Sequence, residues 1–258
     1  MGTLENRVAI VTGGGAGLGL AIAQALAAAG CDIAIAERNA EAGESAAAAL
    51  GALGVRARSY AVDVSVAAEV DAAFAAVPKE LGRLDIVVNN AGVSHVGPTI
   101  AETTDEAWSE SIGVMQTGVF LASQVVGRGM LERGRGSIVN IASINAWAAF
   151  PMRLTYCAAT AAVVAMTEVL AIEWADRGVR VNAVAPGVTR TALVQKGIDE
   201  GVIDVDRYVA RTPLHRFGEP DEIARAVLYL ANDEDGAFVT GTTLRIDGGW
   251  SAQGWIIR

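Results

Sequence analysis

Three glycines in the stretch TGGGAGLG, Gly13, Gly17 and Gly19, are spaced to turn the chain tightly after one apolar run and to open a helix near Leu18. Lacking Cβ atoms, such a turn lets the backbone close on a pyrophosphate, whose charge the free N–H groups of the helix's first turn favour. Taken alone the glycines would equally suit a bare strand-to-helix connection. The context favours the phosphate reading, because the next apolar run ends at Glu37. A carboxylate there accepts both ribose hydroxyls of an adenosine and repels a 2′-phosphate, so NAD is expected over NADP. Arg38 either works against that preference by reaching a 2′-phosphate or is simply solvated. Of the other groups able to do chemistry, His95 lies three residues beyond NNAG, on a strand-end loop that faces the crevice where ligands of such folds bind. It is either a catalytic or substrate-orienting group or an ordinary loop histidine. His215, in PLHRFGEP, reads as structural. The lysines are Lys79, before the fourth apolar run, and Lys196, in a glycine-broken stretch near the C-terminus.

The elements that must position these residues alternate along the chain. Short β-branched runs begin at Val8, Asp32, Arg58, Leu84, Ser137, Val179 and Thr243. Between them, 18–29, 40–53, 67–81, 105–132, 156–177 and 220–232 are Ala-rich and long enough for helices. This order predicts an α/β, doubly wound, mostly parallel seven-stranded sheet with helices on both faces. No Pro- or Ser-rich linker interrupts it, so 1–258 reads as a single domain. The exception is 188–220, broken by Gly197, Gly201, Pro213 and Gly218. A loop of that length in a compact domain is expected to act as a substrate lid.

The net charge of −9, without clustered Lys or Arg, argues against nucleic acid or an anionic bilayer as partner. Cys31 and Cys157 lack metal-ligand spacing, so no metal is expected and both read as plain thiols of a reduced, cytoplasmic compartment. The first residues lack the pattern of a secretory leader. Apolar runs fall short of the roughly 20 residues a membrane span needs. The apolar tail GWIIR, ending at Arg258, suggests burial against another copy.

Over nearly its whole length the chain resembles the short-chain dehydrogenase/reductase family. The resemblance rests on TGGGAGLG, on Asp63-Val64 after the third strand, on NNAG at Asn89 to Gly92, and on Ser143 with Tyr156 thirteen residues later. It rests also on Pro186-Gly187, on Gly241 and on DGG at Asp247 to Gly249. It implies adenine near Asp63 and Val64, and a cofactor edge lined by Asn90, Ala91 and Gly92. It implies a nicotinamide end touched by Pro186, Gly187, Thr189 and Thr191, and usually a homotetramer. Tyr156 is implied as the proton donor or acceptor to the carbinol oxygen and Ser143 as the group that orients it. The family also places a Lys four residues after the Tyr and an Asn on the fourth helix. Here Thr160 and Met115 occupy those two positions.

A phenol titrates near pH 10, and an adjacent cation lowers an acid's pKa by about 1–3 units. Without that cation, tyrosinate near neutral pH costs roughly 1.4–4 kcal/mol more, about 10- to 1000-fold in rate. Alcohol oxidation, with Tyr156 as base, is expected to suffer most. Reduction suffers less, because neutral Tyr156 is already protonated. Met115 cannot pass a proton, whereas the Thr160 hydroxyl can still bond a ribose hydroxyl or water. Trp147 and Arg153 are expected to wall the substrate pocket, and Asn145 either restores a polar contact there or is a turn residue. The expected function is NAD(H)-dependent hydride transfer to or from a small or medium carbonyl or alcohol. An imine is a further substrate class, since a cation beside an iminium would be repulsive. The alternatives are a cofactor-binding lyase, isomerase or scaffold without redox activity, or an active site altered deliberately.

Overall fold

The seven apolar runs form one parallel sheet in a computed structural model that describes residues 4–93 and 99–254. Its strands are β1 (Val8–Thr12), β2 (Asp32–Glu37), β3 (Ala57–Ala61), β4 (Ile86–Asn89), β5 (Gly136–Ile141), β6 (Val179–Pro186) and β7 (Thr243–Ile246). They lie in the order β3-β2-β1-β4-β5-β6-β7, so the direction of winding reverses between β1 and β4. Every residue of β1 and β4 is buried, which is why neither run alternates with polar residues: helices cover both faces.

The helices are α1 (Gly17–Ala28), α2 (Ala40–Gly51), α3 (Ala67–Leu81), α4 (Asp105–Ile112), α5 (Gly118–Arg133), α6 (Leu154–Trp174), α7 (Ala192–Asp199), α8 (Val205–Arg211) and α9 (Pro220–Ala231). On one face Ile22, Leu26, Leu50 and Leu230 pack against Ala9, Val11, Ile33 and Ile35. On the other, Phe74, Val77 and Met130 meet Val8, Ile10, Val87 and Ile138. Local chemistry sets the ends of these helices. Asn39 caps α2 by accepting from the Ala42 N–H, and Pro220 opens α9 inside a reciprocal Glu219–Glu222 capping box.

Three expectations are revised. The stretch 105–132 is not one helix, because a wide π-type turn, Gly113–Thr117, separates α4 from α5. There α5 approaches so closely that a Cβ on Gly118 would lie 2.9 Å from Val64. Next, 188–220 is not an irregular loop but carries α7 and α8, capped by the side chains of Thr191 and Asp204. Lastly, the acidic run Asp233 to Asp235 reads from the sequence as solvated surface, yet Asp233 collects Arg7, Arg135 and Arg180 at 3.2, 2.5 and 3.3 Å. That cluster ties the amino edge of the sheet to the end of α9.

Contrary to the expectation that apolar runs fall short of a span, helix α6 is apolar enough, with an 18-residue window of mean hydropathy 1.6 inside 154–177, to match a membrane span in length and composition. The central helix of a globular α/β fold has the same character, and here α6 lies against β6. A buried polar relay also pins it to the sheet. Asn89 donates through Nδ2 to Asn140 Oδ1 at 2.8 Å, Asn140 Nδ2 donates to Thr167 Oγ1 at 2.9 Å, and Thr167 donates to the Val163 carbonyl at 2.8 Å. Asn140 and Thr167 are fully buried, so each bond replaces water that neither group can regain. Replacing Asn140 by Ala strands the Asn89 amide and removes a partner from Thr167. Urea denaturation is expected to show a loss of about 2–4 kcal/mol.

Candidate active site

Where the winding reverses, β1 and β4 are fastened at their carboxyl ends. The Thr12 hydroxyl accepts from the N–H groups of Asn90 and Ala91 at 2.9 and 3.0 Å. The Asn90 amide donates to the carbonyls of Thr12 and Gly13 at 2.9 and 3.2 Å. This clasp fixes the glycine turn. Gly13 takes a φ of +62°, and a Cβ on Gly19 would strike its carbonyl oxygen, so neither position admits a side chain. No side chain caps α1, and Ala16, Gly17, Leu18 and Gly19 line a cavity of about 530 Å³ along this edge of the sheet. Uncapped first-turn N–H groups opening onto a cavity fit a pyrophosphate.

Along the same cavity, Glu37 accepts from the Gly15 and Asn39 N–H groups at 3.2 and 3.1 Å. Arg38 also borders it, with a side chain two-thirds exposed and 3.9 Å from Glu110. Asp63 accepts from the Ser65 hydroxyl and N–H at 2.6 and 2.9 Å, bonds that hold its carboxyl below the usual range. Val64, Asn90, Ala91 and Gly92 complete this wall. At the far end stand Pro186, Gly187, Thr189 and Thr191. A Cβ on Gly187 would lie 2.8 Å from the Asp247 Cα, and the Thr189 hydroxyl donates to the Gly187 carbonyl at 3.1 Å.

Ser143 and Tyr156 open onto the middle of the cavity. Ser143 follows β5 and is buried, while Tyr156 lies in the first turn of α6. Burial pushes the phenol above its ordinary titration range; a hydrogen bond from Ser143 and the charge of Arg153 oppose the rise, and Cys157 adds to it. Met115, in the π-type turn, presents its thioether to the same cavity.

Thr160 is placed otherwise than expected. It is fully buried and absent from the cavity wall, and its hydroxyl donates to the Tyr156 and Cys157 carbonyls at 2.9 and 3.2 Å. Its proton is spent on the helix backbone, the usual fate of a mid-helix threonine, and none remains for a ribose. Trp147 likewise stays off the cavity and stacks beneath Arg245, 4.7 Å from the guanidinium carbon. Arg153 and Asn145 do line the cavity. His95 lies outside the described residues. Lys196 pairs with Glu200 at 3.7 Å on α7, as a surface residue does, and His215 occupies a left-handed turn at φ 51°.

Sequence reasoning missed the apolar end: Phe150, Leu193, Val194, Ile203 and Tyr208. Phe150, Tyr208 and Trp250 form one aromatic cluster, with ring centroids 5.6–6.1 Å apart. The cap residues Thr191 and Asp204 were the available signal, since each marks the start of a helix that brings such a residue in.

Residues 13–251 match the family described as Enoyl-(Acyl carrier protein) reductase. The chain is 44% identical over 248 residues to D-threitol dehydrogenase of Mycolicibacterium smegmatis, spanning 96% of this chain and 94% of that protein. It is 41% identical over 252 residues to 2-(S)-hydroxypropyl-CoM dehydrogenase 3 of Xanthobacter autotrophicus, spanning 96% and 98%. A gluconate 5-dehydrogenase from Burkholderia cenocepacia, solved in complex with NADP and tartrate, superposes with a TM-score of 0.91 at 36% identity, covering 97% of each chain.

The opposition between burial and Arg153 has a measurable sign. Tyrosinate absorbance, read as the difference from Tyr156→Phe, should show the phenol titrating above its ordinary range. In Arg153→Met it should move up further, while Arg153→Lys holds it near the parent value.

Proposed function

We propose that this chain, which belongs to the short-chain dehydrogenase/reductase family and is an oxidoreductase of the hydride-transferring kind, uses NAD(H) to interconvert a small or medium carbonyl and its alcohol, favouring reduction. One observation carries the reading: the uncapped glycine turn, the Glu37 carboxylate and the Ser143–Tyr156 pair all border a single cavity. The nicotinamide supplies or accepts the hydride when bound. Leu18 and Gly19, Glu37, and Thr189 would hold its pyrophosphate, adenosine ribose and amide end respectively.

The chain's own groups govern the proton. Neutral Tyr156 donates to an oxygen as negative charge grows there, and Ser143 orients that oxygen. With Thr160 turned to the backbone, no ammonium group assists the phenol from that position. A phenol kept above its ordinary range stays protonated at neutral pH and serves reduction better than oxidation. Arg153, whose charge reaches the phenol, disfavours an iminium substrate, so the carbonyl is preferred over the imine. The apolar side chains of Phe150, Leu193 and Tyr208 suit an apolar substrate flank, and α7 and α8, which carry the last two, suit 188–220 as a lid on a single domain.

NAD is preferred over NADP because Glu37 already holds two backbone N–H groups in place and presents a negative charge to a 2′-substituent. The exposed apolar side chains Phe120 on α5, and Val169 and Ile172 on α6, support assembly as a homotetramer. Two free cysteines suit a cytoplasmic setting.

Following NADH absorbance over a panel of ketones, aldehydes and cyclic imines tests the reading. Carbonyl turnover is expected, faster in reduction than in alcohol oxidation at neutral pH, and lost in Tyr156→Phe. Absence of turnover with NADH still bound would refute it. In Glu37→Ala, titration of NADH should show affinity weakened about 10- to 100-fold, equivalent to the roughly 1.5–3 kcal/mol of a hydrogen bond to a charged group. NADPH binding should hold or improve.

A further inference from the structure

Among the described residues, four charged side chains border the cavity, and three of them, Glu37, Arg38 and Asp63, stand at its adenosine end. The fourth, Arg153, belongs to the substrate end, whose wall also holds Phe150, Tyr208, Leu193 and Met115. Its charge acts on the Tyr156 phenol, so the guanidinium lies within electrostatic reach of the reacting groups. The backbone sets it there. Met152 takes a left-handed φ of 59°, a conformation that a residue with a side chain keeps only where its surroundings hold it. The chain then enters α6, and the Cys157 N–H donates to the Arg153 carbonyl at 2.9 Å, so the first helical turn starts from Arg153 itself. Residues three apart on such a turn share a face, with Cβ atoms about 5–6 Å apart, which pairs Arg153 with Tyr156. No acidic residue in that turn offsets the cation.

A guanidinium in such a wall is a poor neighbour for a wholly apolar substrate, because closing over it removes water and returns nothing. It is a good neighbour for a carboxylate. Two parallel N–H donors meet the two carboxylate oxygens, and the other donors of the guanidinium stay with the protein. We propose that Arg153 is a substrate anchor and that the substrate is an oxo acid or the corresponding hydroxy acid. Its carboxylate pairs with Arg153, its carbonyl lies at Tyr156, and its carbon chain lies along Phe150 and Tyr208. The inference rests on the oxidoreductase reading for the reacting carbonyl but not for the carboxylate. In reduction the carbonyl carbon gains a hydride from reduced nicotinamide, which is thereby oxidised, and the carbonyl oxygen gains the Tyr156 proton. The carboxylate passes through unchanged. Its part is to hold the carbonyl in register with the phenol while the aromatic wall excludes water.

Comparing acids with their methyl esters provides the test, since the ester keeps the carbonyl and the chain and removes the charge. 2-Oxobutanoate, 3-oxobutanoate, 4-oxopentanoate and their methyl esters are titrated calorimetrically into the protein in excess NAD+, which cannot reduce them. At least one acid should bind about 10- to 100-fold more tightly than its ester, the span of hydrogen bonds to a charged group. Arg153→Met should erase that preference, and Arg153→Lys, which keeps the charge and loses the fork, should retain part of it. Given turnover with NADH, the acid-to-ester ratio of kcat/KM should collapse in the same way. A change in the acidity of Tyr156 acts on both members of a pair, so the ratio isolates the carboxylate contact. An acid bound no better than its ester at all three lengths, or a preference undiminished in Arg153→Met, would overturn the anchor. Should Arg153→Met fail to fold, an undiminished preference in Arg153→Gln overturns it instead. The calorimetry needs no reaction, so a protein that prefers the acid yet reduces nothing would refute the carbonyl reading and leave the anchor standing.

Discussion

The clasp between Thr12 and Asn90 is the constraint from which the rest of the site follows. A parallel sheet that winds outward in both directions leaves a gap at the reversal, where neither neighbouring helix covers the strand ends. In this chain the gap is spanned by one hydroxyl and one amide that bind backbone on both sides. With β1 and β4 joined, the glycine turn cannot relax, and the first turn of α1 keeps its N–H groups directed at the cavity. Cofactor binding is thus built from backbone whose position side chains enforce. Such a site withstands change at exposed positions far better than at Gly13, Gly19, Thr12 or Asn90.

Proton handling rests on a different balance. Burial makes the phenol hard to ionise, and the nearest relief comes from Arg153 and Ser143 rather than from position 160. An ammonium group that contacted both ribose and phenol would couple cofactor binding to acidity. Separating those tasks leaves binding to the glycine turn and Glu37, and acidity to groups on the substrate side. The protein can in this way be a sound dinucleotide binder and a one-sided acid at once.

The sequence carried the sheet clearly because runs buried on both faces have no polar residue to confuse the period, as in VAIV and IVVN. It carried the glycine turn and the Ser143–Tyr156 pair through spacing. It did not carry the direction of the Thr160 hydroxyl, which depends on competition between backbone carbonyls and solvent that only the packed helix decides. Nor did it reveal α7 and α8: their glycines spoke for a loop, while the short caps at Thr191 and Asp204 spoke more quietly for helices. Asp233 was misread for a related reason. Its three arginines come from distant parts of the chain, so a local acidic run concealed a long-range tie.

The π-type turn between α4 and α5 adds one residue to what would otherwise be a regular coil. Each residue of an α-helix turns the chain by about 100°, so everything on one side of the turn is rotated by that angle relative to an uninterrupted helix. Met115 looks into the cavity by virtue of that offset, whatever its own chemistry. The wall is consequently specified by the number of residues between Thr104 and Gly134 as much as by their kind, and it would outlast many exchanges of side chain but not the removal of a single link.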